Sequence, residues 1–526
     1  MLRSSLILCC LGACLALAAC AAPPASAPRT ATTAAAPFVP EVRDDALDRA
    51  ARAAPVAFLD RIGWGADAAQ LDELARLGAT GLLRGQLHPP VDAPLAPAAA
   101  ARMADLLDVD RPLEDWIPDL VQQQRALRDA RGDAAALEQR RKDFEARRNA
   151  CIEQAQAQQL LLALYAPDQL RQRMVWFWMN HFNVFRGSGM VGPMLADYTQ
   201  HVIAPHALGH FRDLLAATVY SPQMLIYLNN EQNARGHLNE NYARELMELH
   251  TMGVGSGYTQ ADVTHLAQVL SGLGVAPGGR ELPPRAQGWQ RGLVVFAAAR
   301  HDASTVQVLG ATLGSRDSSS IDQAIDLLAA QPATARHLSR QLAAYFVADD
   351  PPPALVDAMV ATWARSDGDI AAVLETMFES PQFAASLSQP RFKDPLRYVL
   401  SALRVSAEGR VIENPRPLLG MLDKLGEPLG GHQTPDGYPT ASMAWNSSGQ
   451  LTTRFEVARQ IGAGAPALFA AADAAPPRQV PALAQGAVFR AAQPRLSPAT
   501  RDALAQAHGA VEWNTLWLAS PEFMQD

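Results

Sequence analysis

The sequence predicts a mostly α protein: a large irregular helical body with at most a small β-hairpin. Three observations carry that expectation. Helical periodicity and helix-capping residues recur from about residue 45 onward. Strand signals are confined to 293–296 and 305–309, which could form one small hairpin around "ARHDAS". Long Gly/Pro-rich loops lie at 276–292, 406–417, 427–449 and 463–481, and loops of this length usually carry function or disorder. The length of 526 residues sets a prior of about three domains. The continuous helical pattern instead reads 45–526 as a single helical body, in one or two lobes. A hydrophobic content of 48% is ample for its core.

The N-terminus reads "MLRSSLILCCLGACLALAAC". Arg3 gives a short positive segment and 6–17 an apolar run too short to span a membrane. The run ends in Leu17-Ala18-Ala19-Cys20, which resembles a bacterial lipobox. That resemblance implies a signal peptide over 1–19, lipidation of Cys20 and a flexible Ala/Pro/Thr tether over 20–44. Ala21 after the cysteine favours the outer membrane over the inner under the usual sorting rule. An ordinary signal cut after Ala25-Ser26-Ala27 is the alternative. Either way Cys151 is left alone in the mature chain, which excludes an intramolecular disulfide and reads as a small core residue. The formal charge of -8 argues against a nucleic-acid partner. Lysine occurs only at Lys142, Lys393 and Lys424, which makes Schiff-base chemistry a poor reading.

The elements follow in order. "GADAAQLDELARLG" is a short amphipathic helix closed by Gly78. Residues 133–166 form a long charged helix. Pro205 opens another, at a position where proline is tolerated. Thr259 and Asp262 make a capping-box variant for a helix over 260–272. "DDPPP" at 349–353 separates two helices.

"VWFWMNHFNVF", residues 175–185, is unusual. Placed on a helix over 174–185, it is apolar on every face, and such a helix is buried. Asn180, His181 and Asn183 must then meet polar partners, because an unpaired buried amide or imidazole costs on the order of 2–7 kcal/mol. A structural network without chemistry is the plain reading; one wall of an internal polar cluster is the sharper one. "NENYARELMELHTMG", 239–253, is the second wall, with Asn239 as cap and Gly253 as terminator. Glu240, Asn241, Arg244, Glu245 and Glu248 share one arc, and Glu240–Arg244 and Arg244–Glu248 are i,i+4 pairs. A solvated face laced with ion pairs competes with a carboxylate wall facing Asn180 and His181. His250 lies on the apolar side and reads as a satisfied core histidine. His206 and His210 have the spacing of a metal clamp, although Gly209 weakens the helix between them. His301-Asp302 suits a metal or an acid/base role. No CxxC, no GxSxG and no Glu-x-x-His pair occurs.

"HALGHFRDLL", "NENYARELMELHTMGVGSGYTQADV" and the "HD...VLG" segment together resemble the bacterial domain-of-unknown-function family numbered 1800. "RQLAAYFVADDPPPALV", "SPQF" and "TPDGYP...AWNSSGQL" resemble it as well, so the likeness covers roughly 55–462. The family is widespread in secreted and envelope proteins, and the resemblance brings no agreed activity. It implies a partner in the secreted family numbered 1501. It also implies that Asn180, His181, His206, Asn233, Asn239, Glu240, Asn241, Arg244, Glu245, Glu248, His301 and Asp302 are family-typical polar positions. The chain departs at His210, where asparagine is usual, at Leu273, where tryptophan is usual, and at Ala303-Ser304-Thr305.

Two functions follow as expectations. In the first, the protein is a cell-envelope hydrolase or metal-assisted enzyme. Glu240, Glu245 and His301 then do acid/base work. Asn180, His181, His206, Asn233, Arg244, Glu248 and Asp302 bind, with Arg244 as an anion anchor. No metal or other cofactor is assigned, with His181 and His301 as the candidate ligands. In the second, it is a non-catalytic envelope scaffold or binding protein working with the family-1501 partner. That reading expects no open cavity at the polar cluster and a sizeable exposed apolar surface.

Overall fold

Several helices in this chain begin where a short polar side chain accepts a free backbone amide. Asp133 accepts the amide of Ala135 at 3.1 Å and opens Ala134–Tyr165, the long helix expected there. Thr259 and Asp262 form the full capping box of Gln260–Leu270. Asp394 accepts the amide of Arg397 at 2.7 Å and opens Pro395–Ser406. The computed structural model describes residues 45–526 apart from 91–92, 107–108, 132, 279–287, 408 and 471–478. The expected signal, the lipidated Cys20 and the tether lie outside the described residues. So does the middle of the 276–292 loop.

Helices dominate, as the sequence predicts, and the described strands form two small sheets. β1 (Leu273–Val275), β2 (Gly288–Arg291) and β3 (Val294–Ala297) make an antiparallel sheet in the order β1-β3-β2. β4 (Val306–Val308) pairs with β5 (Ala311–Leu313). The expected hairpin between the segments at 293–296 and 305–309 is therefore replaced by two others. Each is set by a two-residue turn: Gly292-Leu293, with positive φ at Gly292, and Leu309-Gly310, with positive φ at both.

Gly78, at φ +72 and ψ 171, closes the helix that begins at Ala68, as the sequence predicts; a second helix runs on to Leu87 across the kink, with the Ala79 amide donated to Asp48. Other helix boundaries differ from expectation. Pro205 sits in a single 3-10 turn, Ala204–His206, after a π-helical stretch, Tyr198–Ile203. The aromatic helix is Gln169–His181 and stops four residues early, at Phe182, whose carbonyl accepts the Tyr198 hydroxyl at 2.8 Å. Its buried Arg173 lies 4.9 and 4.8 Å from the Trp64 and Tyr345 ring centroids and donates to the Gly63 carbonyl at 2.8 Å.

One apolar core runs from Leu47 to Met524, and a smaller cluster around Trp116, Phe144 and Met194 holds the buried thiol of Cys151. Among the described residues no helix is long and apolar enough to cross a membrane.

Inside the main core lies a charged junction. The Asp526 side chain, 0% exposed, meets Arg397 Nη1 at 2.7 Å and Arg61 Nε at 3.1 Å. Arg61 Nη2 also donates to the Asp526 carbonyl at 2.9 Å. The Asp526 and Arg391 backbones exchange two hydrogen bonds. Beside them Lys393 Nζ contacts Asp60 at 2.6 Å. Burial alone would raise the Asp526 carboxyl, but Arg397 and Arg61 outweigh it and hold it far below the ordinary carboxylate range.

Asp526→Ala leaves two buried guanidiniums without their shared anion. Urea unfolding at neutral pH should show a loss of about 3–5 kcal/mol. A carboxyl depressed in the folded state contributes stability above its unfolded value, near 3.9, and loses it as pH falls below that. The gap between wild type and variant should therefore narrow below about pH 4. A loss under about 1 kcal/mol at neutral pH would place the junction outside the forces that hold the fold.

Candidate functional site

The three polar residues of the aromatic stretch have separate partners. Asn180 meets the backbone of Tyr438 twice: its Nδ2 donates to the Tyr438 carbonyl at 2.9 Å and its Oδ1 accepts the Tyr438 amide at 2.7 Å. Asn183, just past the helix end, donates to the carbonyls of His432 and Thr434 at 3.2 and 2.8 Å. The two asparagines thus clamp the loop 432–438 against the helix. Tyr227 adds a third tie, its hydroxyl donating to the Gln433 carbonyl at 2.8 Å. Gly437 makes the close approach feasible. Its φ is +70, and an added Cβ would collide with the Asn180 carbonyl and stand 2.8 Å from its Oδ1.

His181 faces the other way. Its Nε2 lies 3.1 Å from the His250 carbonyl, which can only accept. Nε2 therefore carries the proton and Nδ1 is left as an acceptor, with the Gln341 side chain against the ring. The carbonyls come from a helix end. Asn241–Glu248 stops at Glu248, and residues 249 and 250 turn away from it. The freed His250 carbonyl takes His181, and that of Leu249 takes His337. Burial, reinforced by His337, pushes His181 down to about 3, so its ring is neutral at ordinary pH. Burial lowers His337 too. His250 is buried as expected, yet neither ring nitrogen has a hydrogen-bond partner. Burial and then His181 hold it well below its ordinary value.

Between these walls lies a cavity of about 500 Å³. Asn180, His181 and Phe177 line one side, Glu248 and Val254 another, His337 and Gln341 a third, and the loop closes it with His432, Asp436 and Tyr438. His432 Nδ1 is 3.1 Å from the Thr434 carbonyl and 3.9 Å from Asp436 Oδ1. Glu245 stands close enough to feel both Glu248 and Asp436, and burial followed by Glu248 raises its carboxyl. Tyr258, pushed up to about 12 by burial and by its hydrogen bond to Glu248, completes this acidic side.

The structure brings together only part of the expected set. Asn180, His181 and Glu248 share the cavity, with Glu245 beside it. Glu240 and Arg244 belong to a separate polar group. Glu240 accepts Thr264 Oγ1 at 2.6 Å, Gln260 Nε2 at 2.7 Å and Arg244 Nη2 at 3.3 Å, which clips two helices together. Hydrogen bonding from Thr264 lowers Glu240. Arg244 also donates to Gln260 Oε1 at 2.9 Å, so it anchors no ligand in the cavity. His301 is buried with both ring nitrogens against backbone carbonyls, Nδ1 to Ser271 at 2.8 Å and Nε2 to Ser315 at 3.1 Å. Neither nitrogen is left for a metal or for proton transfer. Asp302 accepts the Ser304 amide at 3.0 Å in a local turn, and hydrogen bonding to Ser304 lowers it. Asn233 is spent on Asn230, the Ala267 carbonyl and the Asn239 amide. His206 is half-buried on its 3-10 turn, while His210 is directed to the Asp367 carbonyl at 3.0 Å, so the two do not form a clamp. Among the described residues no three His, Cys, Asp or Glu side chains are grouped so as to hold a metal ion.

His337, Gln341, His432, Asp436 and Tyr438 are the cavity residues that the sequence reading passed over. The signal for three of them was present: the 427–449 loop is long, and its "TPDGYP" carries an Asp-Gly turn. His337 and Gln341 lie on the helix Pro332–Phe346 and carry no local mark.

The chain belongs to the family described as protein of unknown function (DUF1800), which it matches over residues 57–525. No curated protein and no solved structure matches it.

Gly437→Ala should pull the loop from its clamp. The positive φ alone costs about 1–2 kcal/mol for a side chain, before the collision with Asn180. Thermal unfolding should shift down, and limited proteolysis should cut within 427–449 where the wild type resists. Unchanged protection in the variant would contradict the clamp.

Proposed function

We propose that the protein is a cell-envelope hydrolase whose active site is the cavity closed by the 432–440 loop. One observation carries this reading: the carboxyls of Glu245, Glu248 and Asp436 crowd one edge of a polar cavity that also holds His432. Crowded carboxyls separate in proton affinity, and such separation is how one site supplies both an acid and a base. Glu245, raised by burial and by Glu248, keeps its proton to higher pH and serves as the acid store. Asp436 with His432 forms the basic pair that activates water; Thr434's carbonyl fixes the proton on Nδ1 and leaves Nε2 to accept. Glu248 faces the substrate. His181 is too weakly basic to take a proton from water; held by the His250 carbonyl and by Gln341, its neutral ring fixes the cavity wall.

The lipobox-like Leu17-Ala18-Ala19-Cys20 supports a lipid-anchored envelope location, with the outer membrane favoured. A scaffold working with a family-1501 protein is the second reading. It finds support in the exposed Met443, Leu451 and Phe455, while the open cavity at the polar cluster runs against it.

Purified protein should be assayed on aryl glycosides, aryl esters and aryl amides. One class should be turned over. Glu248→Gln and Asp436→Asn should each lower that rate by about 10²–10⁴-fold with thermal unfolding unchanged. Full turnover in both variants, or none in the wild type, would contradict the hydrolase reading.

A further inference from the structure

The walls of the cavity are rich in hydrogen-bond acceptors and poor in positive charge. Glu248 and Asp436 line it and Glu245 backs them, but no arginine or lysine is among its lining residues. Two guanidiniums act on the wall from outside it: Arg244, held by Glu240 and Gln260, is felt by Glu245, and Arg186, held by the Leu429 carbonyl, is felt by Tyr438. Of the three lining histidines, His181 is neutral, burial lowers His337, and His432 stands 3.9 Å from the Asp436 carboxylate. His337 Nε2 and Gln341 Oε1 have no hydrogen-bond partner within the protein, but both are closed off from solvent and are not offered to a ligand. Of the two lining amides, Asn180 is spent on Tyr438 and Gln341 is engaged by His181. An anionic ligand would meet like charge; a cationic donor would meet the carboxylates of Glu248 and Asp436.

Shape narrows the class. Apolar surfaces stand beside the acceptors: Phe177, Tyr438, Pro439 and Val254, the last 77% exposed at the mouth. Aromatic and aliphatic faces flanking a ring of acceptors suit a pyranose, which has C–H faces and a hydroxyl edge.

We infer that the cavity takes a glycan with free amino groups, its ammonium against Glu248 and Asp436 and its ring against Phe177 and Tyr438. The inference rests on the cavity being the substrate site. Val254 then serves as the entry contact, and N-acylation of the sugar removes the charge that the site recognises.

Titration calorimetry on the whole protein tests this with three tetrasaccharides: glucosamine, N-acetylglucosamine and galacturonate, at a pH where the sugar amines are protonated. The glucosamine tetramer should bind about tenfold or more tighter than its acetylated counterpart, the equivalent of one charged hydrogen bond. The galacturonate tetramer should not bind. Asp436→Asn, a change at an exposed side chain, should weaken glucosamine binding about tenfold, and so should Glu248→Gln. Added salt should weaken it in the wild type. No binding of the glucosamine tetramer, equal or tighter binding of the acetylated form, or binding of galacturonate would overturn the inference. Amine-selective binding without turnover of any aryl substrate would sink the hydrolase reading and leave this one standing. Turnover with no preference for the amine would do the reverse.

Discussion

The buried junction at Asp526 is the constraint on which the rest of the molecule hangs. It joins Arg61 in the helix Pro55–Ile62, Arg397 in the helix Pro395–Ser406 and the strand-like exchange between Arg391 and Asp526. Elements more than 300 residues apart in sequence are thereby held at one point. Charges taken out of water are stable only when closely paired, so the junction tolerates little displacement. Its influence reaches the cavity through Glu427. That buried carboxyl accepts the amide of Leu396, two residues after Asp394, at 2.9 Å. Burial, followed by Asp394, raises it well above its ordinary value. From Glu427 the chain runs directly into the loop that carries His432. The loop is thus suspended between the charged junction at one end and the asparagine clamp at the other.

That suspension explains why so apolar a stretch as "VWFWMNHFNVF" carries three polar residues. A long loop rich in glycine and proline has little apolar surface to hold it, and its backbone groups need partners. Asn180 and Asn183 provide them from a helix that the aromatic rings fix in the core. His181 sits between the two asparagines but points into the cavity. Its proton is held by a carbonyl freed where the neighbouring helix ends. Architecture and chemistry are shared among adjacent residues of one segment. This is why both the structural and the functional reading of the stretch were defensible from sequence.

Much of the helical fold was legible because its signals are local. Thr259 and Asp262 cap where the sequence places them, the long helix stands at Ala134–Tyr165, and "DDPPP" separates Pro332–Phe346 from Pro353–Arg365. Strand pairing was not, because short strands at 293–296 and 305–309 take whichever partner the nearest tight turn delivers. The polarity of Asn180, His181 and Glu248 was legible, and so was their need for partners. Which carboxylates they would meet was not. Glu240 and Glu248 share one arc on a helical wheel, yet a helix that ends at Glu248 and packs on Gln260–Leu270 sends them to different neighbours. His301 looked chemical beside Asp302, but its two carbonyl partners come from Ser271 and Ser315, which no local pattern links to it.

The account turns on His181 being a fixed, neutral imidazole with its proton on Nε2. Nitrogen-15 spectra of the histidine rings, assigned by comparison with His181→Gln, report tautomer and charge directly. As pH falls from about 8 to about 5, the His181 signals should keep the neutral Nε2–H pattern throughout. A midpoint near the ordinary value of about 6.5 would contradict the account, because the ring would then be open to water and its tie to the His250 carbonyl would not define the cavity wall.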